Sequence, residues 1–138
     1  MSLSTYRVAA RRVAPDVSTG STRNAEIRFD TGADLSEDLF GPADLLAAAF
    51  AACMLKNVER FSGILPFRYD DAAVDVTLER EDRPPRITRV TYELRLATDE
   101  PADRVDLLGR NLRQFGTIYN TLSQACAVSG AIVVQPRT

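Results

Sequence analysis

One stretch decides most of what this chain can fold into: Gly41-Pro-Ala-Asp-Leu-Leu-Ala-Ala-Ala-Phe-Ala-Ala-Cys-Met-Leu-Lys, continuing to about Phe61. Ala and Leu are strong helix formers, and the run is too long for a strand. Its start is marked by Gly41 as N-cap and Pro42 at the first helical position, where no backbone N–H is needed. Asp44 falls in the first turn, facing the positive end of the helix dipole. Gly63 and Pro66 supply the stop. Up to Leu55 only Asp44 is charged, so this half is apolar nearly all round and is expected to be buried on several sides. It is too short for a membrane span, which needs about 20 apolar residues. Lys56, Asn57, Glu59 and Arg60 turn the second half polar. Leu45, Ala49, Cys53 and Asn57 share one line at i, i+4 spacing, so the Cys53 thiol ends an apolar track.

The flanks supply strands. Tyr6 to Val13 reads as a first strand, Pro15 to Gly20 as turn-like, and Asn24 to Asp30 as an alternating strand with Ala25, Ile27 and Phe29 inward. An acidic loop from Thr31 to Phe40 leads into the central helix. Beyond it, Ala72 to Glu79 and Ile87 to Ala97 alternate as a hairpin, with Val90, Tyr92, Leu94 and Leu96 facing one way. Glu81-Asp-Arg-Pro-Pro-Arg reads as the charged turn between them. Pro101 opens a second helix with Val105, Leu108, Leu112 and Phe115 on one face and Arg104 outward. Gly116 breaks it, a short helical segment follows to Gln124, and Ala127 to Gln135 is the last strand. These elements predict an α+β domain spanning residues 1–138, with one mostly antiparallel sheet against the buried helix. A sheet covers one side of an apolar helix, so a second copy is expected to cover another, as a homodimer.

Composition removes many chemistries. The chain of 138 residues has no histidine, which excludes Ser-His-Asp and Cys-His mechanisms and most zinc sites, since those would need more than its two cysteines. No metal or cofactor is expected. A net charge of −2 provides no basic field for nucleic acid or an anionic membrane. No secretion signal is read at the start, so the expected location is cytoplasmic, with both cysteines as thiols.

Chemistry then rests on few groups. Free cysteine often only packs, but Lys56 and Arg60 follow Cys53 at about one and two turns, and a nearby cation favours the nucleophilic thiolate. Cys126, just before the last strand, is the other thiol, and sequence does not say whether it reaches Cys53. Arg23 stands before a strand at the end of Ser-Thr-Gly-Ser-Thr, where it can swing over a site. Tyr92 and Tyr119 read as core.

The stretch ending at Cys53 resembles the Pro-x-x-Leu-Leu-Ala-Ala-x-x-Ala-x-Cys helix of the OsmC/Ohr family, the osmotically induced and organic-hydroperoxide-resistance proteins. The hairpin, second helix and closing strand fit as well, over about residues 20 to 135. The resemblance implies an OsmC-like fold in which two chains intertwine, a peroxidatic Cys53, and attack of its thiolate on an organic hydroperoxide. It also implies a second cysteine that closes a disulfide, which a dithiol such as a lipoyl protein reduces. Two registers compete for that second cysteine. Cys126-Ala-Val-Ser resembles the family's Cys-Pro-Val-Ser motif without its proline, whereas Gly116-Thr-Ile-Tyr-Asn-Thr-Leu follows the second helix at the expected distance and puts glycine at the resolving position. Helix length favours the Gly116 register. At the helix start the family's Glu is replaced by Ala43, with Asp44 beside it, and Arg23 takes the arginine role. The expected activity is a thiol peroxidase in oxidative-stress defence, with Cys53, Cys126 and Arg23 as its residues. The alternative is a dimer without peroxidase activity that binds a small apolar or electrophilic ligand at its interface.

Overall fold

In the computed structural model, which describes residues 2–137, the apolar run becomes helix α1, Pro42–Ile64. The Leu45 amide donates to the Gly41 carbonyl at 2.9 Å, the first turn of the helix. Asp44 bends its carboxylate back to the Gly41 N–H, also 2.9 Å away. It thereby satisfies an amide just before the helix, as the acidic member of a capping box does. At the other end the Phe67 amide donates to the Ser62 carbonyl, and the Arg104 guanidinium donates to the carbonyls of Leu65 and Pro66. Arg104 is thus not an outward residue. It binds carbonyls just past the end of α1, where the negative end of the helix dipole also favours a cation.

The chain forms two compact units, one up to Leu46 and one from Ala47. The first holds β1 (Ala9–Ala14), β2 (Val17–Thr22) and β3 (Ala25–Asp30), an antiparallel meander in the order β1-β2-β3. The segment expected to be turn-like is therefore a strand. Only Pro15 and Asp16 turn, between the paired residues Ala14 and Val17. Proline presets the first turn position, and Asp16 takes φ 66° at the second, which an Asp tolerates better than most residues. The small polar residues of β2 carry little strand signal of their own, but both neighbours pair with them along their length. β3 is less buried than its alternation predicts, with Ile27 54% exposed.

The second unit holds β4 (Asp71–Asp82), β5 (Pro85–Ala97), α2 (Ala102–Phe115), α3 (Thr117–Ser123) and β6 (Ala127–Gln135). Its sheet runs β4-β5-β6, so the fold has two three-stranded sheets where one was expected. β4 and β5 are antiparallel, and β6 lies parallel to β5. The charged stretch is not a long turn. Asp82 pairs with Pro85, leaving Arg83 and Pro84 as the loop. The charges pair instead, Arg86 with Glu81 and Arg89 with Glu79 across the ladder. Opposite charges facing each other favour the sheet rather than ending it.

The central strand β5 presents the predicted inner face: Val90, Leu94 and Leu96 are fully buried and Tyr92 nearly so. Phe50, Met54, Val58 and Phe61 of α1 and Val105, Leu108 and Leu112 of α2 complete this core. α1 buries one face only, and Ala49, Ala52 and Leu55 stay exposed. Burial on several sides is not met within one chain. No described helix is long and apolar enough to cross a membrane.

Candidate functional site

Cys53 projects from the flank of α1. The buried line of the helix runs through Phe50, Met54, Asn57, Val58 and Phe61, and Cys53 lies one turn from both Phe50 and Asn57, at the edge of that line. Its thiol is half-buried and free. The Asn57 side-chain amide donates to the Cys53 Sγ at 3.5 Å, and Asn57 is itself 8% exposed. This is the residue that sequence reasoning placed on the Cys53 line without giving it a role. The signal was there: a polar side chain four residues on, on the track that ends at the thiol.

The cations expected beside the sulfur are arranged differently. Lys56 and Arg60 are exposed, and the Arg60 guanidinium lies over the ring of Phe61, 5.4 Å from its centroid. Among the described residues neither forms an ion pair, and the hydrogen bond to Sγ comes from the neutral Asn57 amide.

Gly116, at the break between α2 and α3, meets the same place. It is buried, and a Cβ built on it would stand 3.6 Å from the Asn57 amide nitrogen. It would also stand 2.9 Å from the Leu112 carbonyl oxygen and 3.0 Å from Tyr119 Cβ. The glycine is thus required by close approach of backbone, since φ there is −74° and suits any residue. Tyr119 packs with Phe50 and Tyr92, ring centroids 5.7 and 6.2 Å away, and burial pushes its hydroxyl pKa upward. Both tyrosines are core, as the sequence indicated.

Cys126 lies on the turn after α3, before β6. Its thiol donates to the Leu122 carbonyl at 3.3 Å, and the residue packs on the core. The two sulfurs are both free, and each has its own hydrogen-bond partner.

Arg23 sits in the first unit, in the two-residue turn between the paired Thr22 and Ala25. It takes φ 51° and is exposed, with its guanidinium 3.4 Å from the Thr22 hydroxyl. Asp44 is engaged in capping α1, and Ala43 beside it has no side chain able to pair with an arginine. Among the described residues no group of His, Cys, Asp and Glu is placed to hold a metal ion.

A half-buried thiol with an amide donor can act as a nucleophile once ionised, because the thiolate is the reactive form. Solved structures share the frame that carries it. An OsmC-like protein from Mycoplasma pneumoniae is 14% identical, with a TM-score of 0.86 over 95% of this chain and 97% of that one. An organic hydroperoxide resistance protein from Legionella pneumophila is 14% identical, with a TM-score of 0.71 over 95% and 99%. The organic hydroperoxide resistance protein OhrB of Bacillus subtilis is 18% identical, with a TM-score of 0.66 over 97% and 100%. At these identities the likeness is one of fold. No curated protein matches the sequence. The family model described as OsmC-like protein matches residues 35–129, a segment that takes in the whole of α1, both sites of the expected second cysteine, and most of the second sheet. On that match the chain belongs to the family of OsmC-like proteins.

Proposed function

We propose that this protein is a thiol-dependent peroxidase that reduces organic hydroperoxides through Cys53, working as a homodimer. The observation that carries this reading is the half-buried Cys53 thiol, bonded to the Asn57 amide, within the segment the family matches. Two structural neighbours bear hydroperoxide-resistance names. The exposed apolar side of α1, with Ala49, Ala52 and Leu55, supports a second copy as its cover. In the proposed step the Cys53 thiolate attacks a peroxide oxygen. An S–O bond forms and the O–O bond breaks. The alkoxide takes a proton and leaves as an alcohol, while the sulfur, oxidised by two electrons, becomes a sulfenic acid. A thiol then attacks that sulfur, water leaves, and a further thiol restores Cys53. Cys126 or an external thiol supplies the first of these, a dithiol reductant completes the cycle, and Arg23 is the proposed arginine over the thiolate.

A second reading is favoured by two specific features. Gly116, the resolving position in the register that helix length favours, is held by close packing, and Asp44 is engaged at the helix start. These suit a member without peroxidase activity that binds a small apolar or electrophilic ligand beside Cys53. A free-thiol count on the reduced protein, before and after one equivalent of cumene hydroperoxide, separates the readings. Loss of both thiols as a disulfide supports Cys126 as resolver. Loss of one, with a trappable sulfenate, supports an external thiol. Retention of both after minutes overturns the peroxidase and leaves the ligand-binding reading.

A further inference from the structure

We infer that Asn57 is the group that stabilises the thiolate of Cys53 when it forms, by donating a hydrogen bond to the sulfur, in place of the charged partner expected from the sequence. The inference rests on the reading of Cys53 as the reacting thiol, but its test does not use a peroxide. Asn57 is more than nine-tenths buried in the face of α1 that packs on the core, where an amide is costly unless it is bonded. The bond its amide nitrogen makes there goes to a sulfur, the Cys53 Sγ at 3.5 Å. A neutral thiol is a weak acceptor and repays little of the cost of burying an amide. A thiolate is an ionised acceptor, for which hydrogen bonds are roughly twice as strong. The arrangement is therefore balanced for the anion.

The cations that follow Cys53 on α1 do not supply the same service. Lys56 and Arg60 point into solvent, with Arg60 stacked on Phe61. The dipole of α1 contributes little, because Cys53 stands in the middle of a helix running from Pro42 to Ile64. Gly116 adds a second feature. The space a Cβ would take there lies 3.6 Å from the Asn57 amide nitrogen, so this glycine keeps other side-chain atoms away from the amide.

The test is the alkylation rate of Cys53 by iodoacetamide in the full chain, followed on its own peptide by mass spectrometry across neutral to strongly alkaline pH. In Asn57→Leu the rate at pH 7 falls about tenfold, as expected for losing one bond to a charged group. The rates of variant and parent converge at high pH, where the thiol is ionised in both. Asn57→Asp keeps the volume, removes the donor and places a carboxylate charge beside the sulfur, so its rate at pH 7 falls at least as far. It also covers the case in which the leucine variant does not fold. Unchanged rates at pH 7, or a slowdown of equal size at every pH, overturn the assignment, since either leaves Asn57 a packing residue. If Cys53 shows the Asn57 dependence but consumes no hydroperoxide, the peroxidase reading falls and this one stands.

Discussion

Adding one methyl group at two glycines gives opposite results in this fold, and the structure sets both signs. Gly130 of β6 pairs with Tyr92 of β5. A Cβ at Gly130 would lie 2.3 Å from the Tyr92 carbonyl oxygen and 2.5 Å from its Cγ and Cδ1. All three are far inside van der Waals contact, and one is backbone that moves only with its strand. The ring cannot turn aside freely, because Phe50 lies 5.7 Å from it and Tyr119 6.2 Å. Overpacking of a filled core costs about 1–3 kcal/mol, and a clash with backbone belongs at the upper end. Gly130→Ala is therefore expected to lose about 3 kcal/mol. At Gly63, near the end of α1, a Cβ would meet no atom within 4 Å. There alanine removes the entropy cost of a helical glycine, and Gly63→Ala gains about 0.5–1 kcal/mol. Urea unfolding followed by far-ultraviolet circular dichroism reads both. The midpoint falls by roughly 1–3 M in the first variant and rises slightly in the second. Equal stability of Gly130→Ala and the parent would refute the parallel β5–β6 register, because a shift by one residue moves this position off Tyr92.

Asp44→Ala removes the acceptor for the Gly41 amide and a favourable charge at the start of α1, so stability is expected to fall by about 1 kcal/mol in the same assay, with Asp44→Asn recovering part by keeping the acceptor. The Tyr69 hydroxyl bonds to Glu59, and burial first, then that bond and its charge, push its pKa up to about 12. A group raised in the folded state gives stability that is complete below its unfolded value near 10 and is lost as pH rises toward about 12. Over that window the parent therefore loses stability faster than Tyr69→Phe, and parallel pH curves for the two would disprove the coupling.

What the sequence revealed follows from how local each cause is. α1 was legible because Gly41, Pro42 and Asp44 set its start and Pro66 its end through nearest neighbours in the chain. The inner face of β5 was legible because Val90, Tyr92, Leu94 and Leu96 alternate against polar residues. β2 was not, since Val-Ser-Thr-Gly-Ser-Thr becomes a strand through partners on both sides. The end of the β4–β5 hairpin hid for a related reason: its charges look like a solvated turn until Glu81 meets Arg86, and Glu79 meets Arg89, across the ladder. The pairing of β6 with β5 crosses α2 and α3, and no local pattern gives its direction. At the site, Asn57 was visible as a residue four places from Cys53. Its meeting with Gly116 was not, because that depends on how two helices pack.

Gly116 shows how a missing side chain can follow from packing. The chain leaves α2 at Phe115 and enters α3 at Thr117, so one residue carries the break. The Gly116 carbonyl already accepts the Asn120 amide at 2.8 Å, the first bond of α3, while the Leu112 carbonyl faces the same residue from α2. A side chain at this position must push on one helix or the other. A longer break would relieve that pressure and admit a cysteine, at the cost of the tight join that brings Tyr119 against Phe50. The tight α2–α3 join and a thiol at residue 116 are therefore alternatives. A peroxidase built on this join would need its second thiol at Cys126 or outside the chain. If the resolving position is residue 116, as helix length favours, the difference from a two-cysteine peroxidase would lie in a single turn of backbone rather than in the helix that carries Cys53.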